Sequence, residues 1–483
     1  MSSSTHGVVL LDPLAEINGR KAIFLRDNFG GEVPLSCPYP PLELAFSAAV
    51  LREADIPVQL IPANVEGWSH AEVAERLLPN PPAYLLVPSA WGSLLDDYRL
   101  MEILRSALPE TVLVISGPNV TAEPERTLRN SAVDIVIMGE PEEAILRLSQ
   151  GVAWHDVPNI AFLEDEQLQT TERRPPPEWE QYPLPARDLL DLSKYTIPFS
   201  RRLPSTTLAT TRGCVHRCVF CPTHIWNKGK VRARPVDLVL QEIDELVGRY
   251  GMREIIFRDD TFTWDRERVI SICEGLLERD YDLTWRCFAT VSTVDKELLQ
   301  MMAAAGCTQV CFGFESGDEQ VLRRTGKGTT VAQGYRAVGW SRNAGLEVSG
   351  TFMVGLEGAT PETIERSIEF AIDNDLDYVQ VNVALPMPTT AFGKRRKKKG
   401  LSSRPEIFRW SGEATSEHEA LDAAELPGYA RRFYRRFYIR PRYIASRLTS
   451  RRGVLSLFSH AELGFKMAAY LVEPYLQRAL PRP

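Results

Sequence analysis

Thr211-Arg212-Gly213-Cys214-Val215-His216-Arg217-Cys218-Val219-Phe220-Cys221-Pro222 decides how the rest of this chain is read. Its cysteines follow a C-x3-C-x2-C spacing. Three thiolates can hold three irons of a [4Fe–4S] cluster, whose usual complement is four Cys ligands. One iron then lacks a protein ligand, and an open position separates a catalytic metal site from a closed structural one. A zinc knuckle is the bland alternative. It needs a fourth Cys or His at short spacing, and His216 and His224 are near enough to serve.

Outward from this loop, residues 201–400 alternate apolar strands with amphipathic helices. Strands are expected at Glu254 to Phe257, Trp285 to Ala289, Gln309 to Phe314, Val348 to Val354 and Tyr378 to Val383, with helices such as Val236 to Tyr250 and Pro361 to Asn374 between them. Counting the unit that carries the cysteine loop, six βα units make a partial barrel, short of the eight of a closed one. Its site belongs on the loops after the strand carboxyl ends. Two polar turns fall there: Phe257-Arg258-Asp259-Asp260-Thr261-Phe262, and Gly313-Phe314-Glu315-Ser316-Gly317. The plain reading of the first is a helix N-cap by Asp260 or Thr261. That of the second is an ordinary turn with a cap. The apolar half of Gly350 to Gly358 is equally good core.

Residues 1–150 also alternate. Strands are expected at Val8 to Leu11, Val58 to Ile61, Ala83 to Val87, Val112 to Ile115 and Ile135 to Met138, with a helix over Pro41 to Ala54 and another ending near Leu108. Such alternation predicts a parallel sheet covered on both faces, with ligands at the carboxyl ends of its strands. Residues 151–200 are proline-rich in part (Thr171 to Pro177, Tyr182 to Pro185) and read as a linker. Residues 401–483 read as a mainly helical C-terminal segment. In it Tyr429, Phe433 and Phe437 recur every four residues, with Arg431, Arg432, Arg435 and Arg436 opposite. A basic amphipathic helix can lie on an anionic membrane; the reading preferred here is a helix covering the barrel mouth, its arginines solvated or paired. The run Lys394 to Lys399 reads as the solvated end of the last barrel helix.

The chain has 483 residues, 44% hydrophobic and 25% charged, with net charge −7. Nothing global points to nucleic acid. Of eight cysteines, those outside the loop (Cys37, Cys273, Cys287, Cys307, Cys311) sit among apolar neighbours and read as core thiols, not as a disulfide framework. Met1 to His6 lacks a basic start and an apolar stretch, and no apolar run is long enough for a membrane span. A reducing cytoplasm is the expected compartment.

The loop, with Gly213 and with Phe220 directly before Cys221, resembles that of the radical S-adenosylmethionine (SAM) enzymes. This resemblance favours the cluster over zinc. It implies that SAM chelates the open iron and is cleaved reductively to a 5′-deoxyadenosyl radical. It places Phe220, Asp259, Asp260, Thr261, Glu315 and Ser316 against SAM, and implies an external electron donor such as a flavodoxin or ferredoxin. Upstream, Tyr39 to Ala45, Ser116-Gly117-Pro118-Asn119 and Gly139-Glu140-Pro141-Glu142-Glu143 resemble the cobalamin-binding domain of the class B radical SAM enzymes. Pro185 to Leu190 and Tyr429 to Leu448 match the same family. The resemblance implies that Pro41, Leu42, Ser89, Gly117, Pro118, Asn119, Gly139, Glu140 and Pro141 line the corrinoid. No D-x-H-x-x-G motif is present to offer a histidine to cobalt, which implies base-off cobalamin with its lower face toward Pro88 to Ser93. The plain reading is a degenerate Rossmann-like domain without a corrinoid.

The fold expected is therefore α/β: an N-terminal Rossmann-like cobalamin-binding domain, a partial (β/α)6 radical SAM barrel and a helical C-terminal segment. The function implied is a methyltransferase that abstracts hydrogen with a 5′-deoxyadenosyl radical and moves a methyl group from methylcobalamin to an unactivated carbon. Relatives of this kind also close, contract or oxidise rings of tetrapyrrole, lipid or antibiotic precursors. A corrinoid and iron–sulfur sensor is the reading from another class; the two polar turns argue against it. A small-molecule or lipid-like substrate is expected, with no catalytic residue assigned beyond the cluster ligands.

Overall fold

A computed structural model of the chain describes residues 7–17, 20–22, 39–195, 197, 200–223, 229–401 and 421–449. The expectations on Met1 to His6, Cys37, His224 and residues 402–420 and 450–483 lie outside the described residues. The chain divides into two compact units, one drawn from residues 1–196 and 222–238, the other from 197–221 and 239–483.

The first unit is built on a seven-stranded sheet. Its strands are β1 (Val8–Leu11), β2 (Val58–Ile61), β3 (Tyr84–Pro88), β4 (Val112–Ser116), β5 (Ile135–Ile137), β6 (Ile160–Glu164) and β7 (Gln167–Thr170). The order is β2-β1-β3-β4-β5-β6-β7, parallel through β5. The short apolar runs are strands because both faces are covered: β1 is buried along its length, as are Leu85 to Val87 and Leu113 to Ile115. The chain leaves β1 for β2 on one side and returns past it to β3. That reversal puts a crevice at the carboxyl ends of β1 and β3, where such sheets take ligands. One difference from the sequence reading is plain. Residues 160–170, placed in the linker, form β6 and β7 and extend the sheet antiparallel. Asp165 and Glu166, with φ of 48° and 62°, make the two-residue hairpin turn. The proline-rich run that follows masked this hairpin.

The second unit holds six parallel strands in chain order: β8 (Ser205–Leu208), β9 (Glu254–Phe257), β10 (Thr284–Ala289), β11 (Cys307–Glu315), β12 (Glu347–Val354) and β13 (Tyr378–Val383). Helices between them start at side-chain caps, among them Asp265, Asp295, Asp318, Thr330 and Thr360. The helix after β9 is thus capped by Asp265, and neither Asp260 nor Thr261 caps it. Phe257 stacks on Phe262 at 4.5 Å beside Trp285. Cys273, Cys287 and Cys307 are core thiols as expected, whereas Cys311 is only half-buried.

The basic C-terminal helix, Leu426–Tyr438, lies along β13, the edge of the sheet, rather than over its mouth. Phe433 and Phe437 are buried, while Tyr434 and Tyr438 hydrogen-bond to the edge backbone. Arg432 pairs with Glu365 at 2.7 Å, and Arg436 pairs with the same carboxylate. The run 394–399 is less solvated than expected: Arg396 is buried against Phe392, and Arg395 pairs with Glu357 at 3.2 Å. Among the described residues no helix is long and apolar enough to cross a membrane.

Candidate functional site

The cysteine loop leaves the carboxyl end of β8, and a neighbouring strand end holds it in place. Asp259, two residues after the end of β9, is almost fully buried. Its carboxylate accepts from Thr210 N at 2.6 Å, from Thr211 N at 3.1 Å and from the Thr210 hydroxyl. Burial pushes this carboxyl up, against three hydrogen bonds that favour its charge. Both oxygens are therefore engaged in bracing the start of the loop. One residue beyond Asp260, Thr261 Oγ1 lies 3.5 Å from Cys214 Sγ. Further along the loop, Val219 N donates to Thr325 O at 2.8 Å and Val219 O accepts from Phe392 N at 2.9 Å. Phe220 packs against the small cluster of Val321, Leu356, Ala384 and Phe392.

Glu315 ends β11 with φ of 65°, at a register shift against β12. Its Oε1 receives Lys327 Nζ at 2.6 Å. Ser316 Oγ meets Ser367 Oγ at 3.2 Å and accepts from Asp318 N at 3.1 Å. Cys214 and Cys221 are half-buried. Cys218 is buried, which pushes its thiol up to about 12, with Lys327 opposing the shift. Lys327 and Thr210 carried no signal in the sequence; only the Gly-flanked position of Lys327 could have drawn attention.

Among the described residues no three His, Cys, Asp or Glu side chains converge tightly enough to hold one metal ion. A cluster distributes its thiolates over separate irons and needs a wider set. Three thiols on one loop, with no fourth cysteine beside them in the sequence, fit that donor requirement.

In the first unit Ser89, Gly117, Pro118, Asn119, Gly139, Glu140 and Pro141 follow the carboxyl ends of β3, β4 and β5, while Pro41 and Leu42 lie at the start of helix Leu42–Glu53. Ser89 Oγ and Ser93 Oγ donate to the buried Asp97 carboxylate at 2.6 and 2.7 Å. Asn119 Nδ2 donates to Ser89 Oγ at 2.8 Å, while its buried Oδ1 has no partner among the described residues. Gly117 is obligatory: at φ of 144°, a Cβ there would fall 2.1 Å from Ser89 O. Gly139 differs, because at φ of 124° its Cβ would meet nothing within 4 Å. Its N–H is held by Thr121 Oγ1 at 3.0 Å. An orphaned amide oxygen and an open face at Gly139 fit a large ligand. Pro118 and Pro141 begin the helices that follow β4 and β5, and Pro41 O accepts from Ala45 N at the start of helix Leu42–Glu53. Glu140 is committed elsewhere, to the Arg232 guanidinium.

Two family models match the chain: the radical SAM superfamily over residues 208–371 and the B12 binding domain over residues 35–149. An uncharacterized methyltransferase of Pyrococcus horikoshii is 28% identical over 423 residues, covering 86% of this chain and 91% of the relative. The anaerobic magnesium-protoporphyrin IX monomethyl ester cyclase of Rubrivivax gelatinosus is 26% identical over 88% of this chain and 78% of its own. Among solved structures, the radical SAM methyltransferase TsrM of Kitasatospora setae, with cobalamin and a [4Fe–4S] cluster bound, superposes with a TM-score of 0.66 at 16% identity, covering 88% of this chain and 81% of that one. OxsB, a solved cobalamin-dependent radical enzyme at 18% identity, has aqua-cobalamin and SAM bound. The chain is a radical SAM enzyme with an associated cobalamin-binding domain, matching the class B cobalamin radical SAM enzymes.

Proposed function

We propose that this enzyme is a C-methyltransferase acting on an unactivated carbon of a small-molecule or lipid-like substrate. When bound, the cluster and SAM supply a hydrogen-abstracting radical and the corrinoid supplies a transferable methyl group. The chain's own part is to hold and orient. Cys214, Cys218 and Cys221 are assigned to the irons. Asp259 positions their loop through Thr210 and Thr211. Asp260, Thr261, Glu315, Ser316 and Phe220 are assigned to SAM. Pro41, Leu42, Ser89, Gly117, Pro118, Asn119, Gly139 and Pro141 are assigned to the corrinoid; Glu140 serves through its ion pair with Arg232. We keep the division into a cobalamin-binding part over 1–150, a barrel over 201–400 and a C-terminal segment over 401–483, with residues 160–170 joined to the first sheet.

The observation that carries the proposal is the contact of Thr261 with Cys214 on a loop braced by Asp259; in the first unit, the open face at Gly139 supports the corrinoid assignment. The methyltransferase name of the Pyrococcus relative supports methyl transfer. Ring closure is the second reading, favoured by the name of the Rubrivivax relative. An external flavodoxin or ferredoxin as electron donor and a cytoplasmic setting complete the proposal. A membrane role for the basic helix is not included, because Arg432 and Arg436 are paired with Glu365.

The test is anaerobic reconstitution with iron, sulfide and hydroxocobalamin, then incubation with methyl-labelled SAM and candidate substrates. About four irons and one corrinoid per chain, with iron lost in the Cys214→Ala/Cys218→Ala/Cys221→Ala variant, are expected. Label in the product supports methyl transfer, whereas an unlabelled cyclised product supports the second reading. Iron without corrinoid would sink the methyltransferase proposal.

A further inference from the structure

Lys327 is buried at the cysteine-bearing end of the second unit, with side-chain exposure of 8% against 9% for its partner Glu315. Its Nζ donates to Glu315 Oε1 and to Gly313 O, each at 2.6 Å. The backbone is shaped to admit it. A Cβ on Gly313 would fall 2.2 Å from Lys327 Nζ and 2.5 Å from Glu315 Oε1, so only glycine leaves room for this pair. Glu315 itself sits in the left-handed region, where a side chain other than glycine is strained. The turn that carries the lysine is docked on the cysteine loop. Thr325 O takes the Val219 N–H at 2.8 Å, and a Cβ on Gly326 would come within 3.3 Å of Arg217 O and of Val219 Cγ1.

Burial works against a charged ammonium here, but the carboxylate of Glu315 at 2.6 Å counters it, and the lysine's affinity for its proton is raised.

We propose that Lys327 is a positioning residue of the cluster site. It holds Glu315 through Oε1, leaving Oε2 as the carboxylate oxygen without a hydrogen bond among the described residues, and it keeps a fixed positive charge two residues from the backbone contact that docks its turn on the cysteine loop. This rests on the assignment of these cysteines to a [4Fe–4S] cluster. A cluster held by thiolates becomes more negative when it accepts one electron from an external low-potential donor. A buried cation nearby stabilises that reduced form and raises the potential, since net charge is one of its determinants.

The test compares wild type, Lys327→Met, Glu315→Gln and the double variant Lys327→Met/Glu315→Gln after anaerobic reconstitution. The double variant leaves no unpaired buried charge, so it keeps the test open if Lys327→Met does not fold. The readouts are iron per chain and the midpoint potential followed by electron paramagnetic resonance, with SAM affinity alongside. The expected result is a shift to more negative potential in Lys327→Met and to more positive potential in Glu315→Gln, with the double variant more negative than Glu315→Gln. Lys327→Met is also expected to bind SAM more weakly. Unchanged potentials at full iron content would overturn the proposal and leave a purely structural ion pair. A wild-type chain that takes up no iron would overturn the cluster assignment, and this proposal with it.

Discussion

Tyr434 completes the hydrogen bonding of Val381. The Val381 N–H donates to the tyrosine oxygen at 2.8 Å, and the same hydroxyl reaches Val381 O at 3.4 Å. One helical turn on, Tyr438 does the same for Val379, at 3.0 and 3.1 Å. The match is geometric: four helical residues advance about 6 Å and two strand residues about 6.6 Å. An open parallel sheet must deal with its exposed edge, and here two tyrosines stand in for the missing neighbour of β13.

Tyr434→Phe keeps the ring and removes the oxygen, which leaves a buried N–H and C=O unpaired. The expected cost is about 1–3 kcal/mol, read as a lower urea midpoint. Tyr438→Phe should cost less, because its bonds are only partly buried. Equal midpoints for wild type and Tyr434→Phe would show that water replaces the hydroxyl.

Asp259→Ala removes the acceptor shared by Thr210 and Thr211. Hydrogen bonds to a charged group contribute roughly 1.5–3 kcal/mol, so both the melting temperature and the iron retained on reconstitution should fall. Full iron loading in this variant would remove Asp259 from the positioning of the loop.

Two glycines separate strain from occlusion. Gly117→Ala drives a methyl group into Ser89 O and should destabilise the first unit outright. Gly139→Ala meets no atom within 4 Å. Its cost is the backbone strain of about 1–3 kcal/mol, and it should fold yet bind hydroxocobalamin weakly. Normal corrinoid titration of a folded Gly139→Ala chain would move the corrinoid away from this face.

His70 lies buried against Asp96, with Nε2 3.3 Å from Oδ2 and 3.1 Å from Leu14 O. Burial lowers its proton affinity, but the hydrogen bond and charge of Asp96, with Glu16, more than reverse this, and the net direction is upward from 6.5. A raised folded value means that the contribution is fully present below the unfolded value and is lost as pH rises through the folded one. Melting temperature should therefore decline over that window, and His70→Gln should flatten the decline. An identical pH profile in the variant would show that the pair does not contribute.

Much of the architecture was legible in the chain because buried parallel strands are short apolar runs and their helices carry a regular period. Val8–Leu11, Val58–Ile61, Glu254–Phe257 and Tyr378–Val383 begin and end where those patterns do. The cysteine loop was legible because cluster chemistry demands one residue type at a fixed local spacing. The hairpin at 160–170 was hidden by the prolines after it, and Asp265 rather than Asp260 or Thr261 proved to cap its helix because the chain makes an extra turn at Phe262–Trp264. What only the tertiary structure decided were the pairings between residues far apart in sequence: Asp259 with Thr210, Glu315 with Lys327, Tyr434 with Val381. Local pattern reports which face of an element is apolar. It does not report which distant polar group will meet a buried carboxylate, ammonium or strand edge, because that choice is made when whole elements pack and each buried polar atom must find a partner.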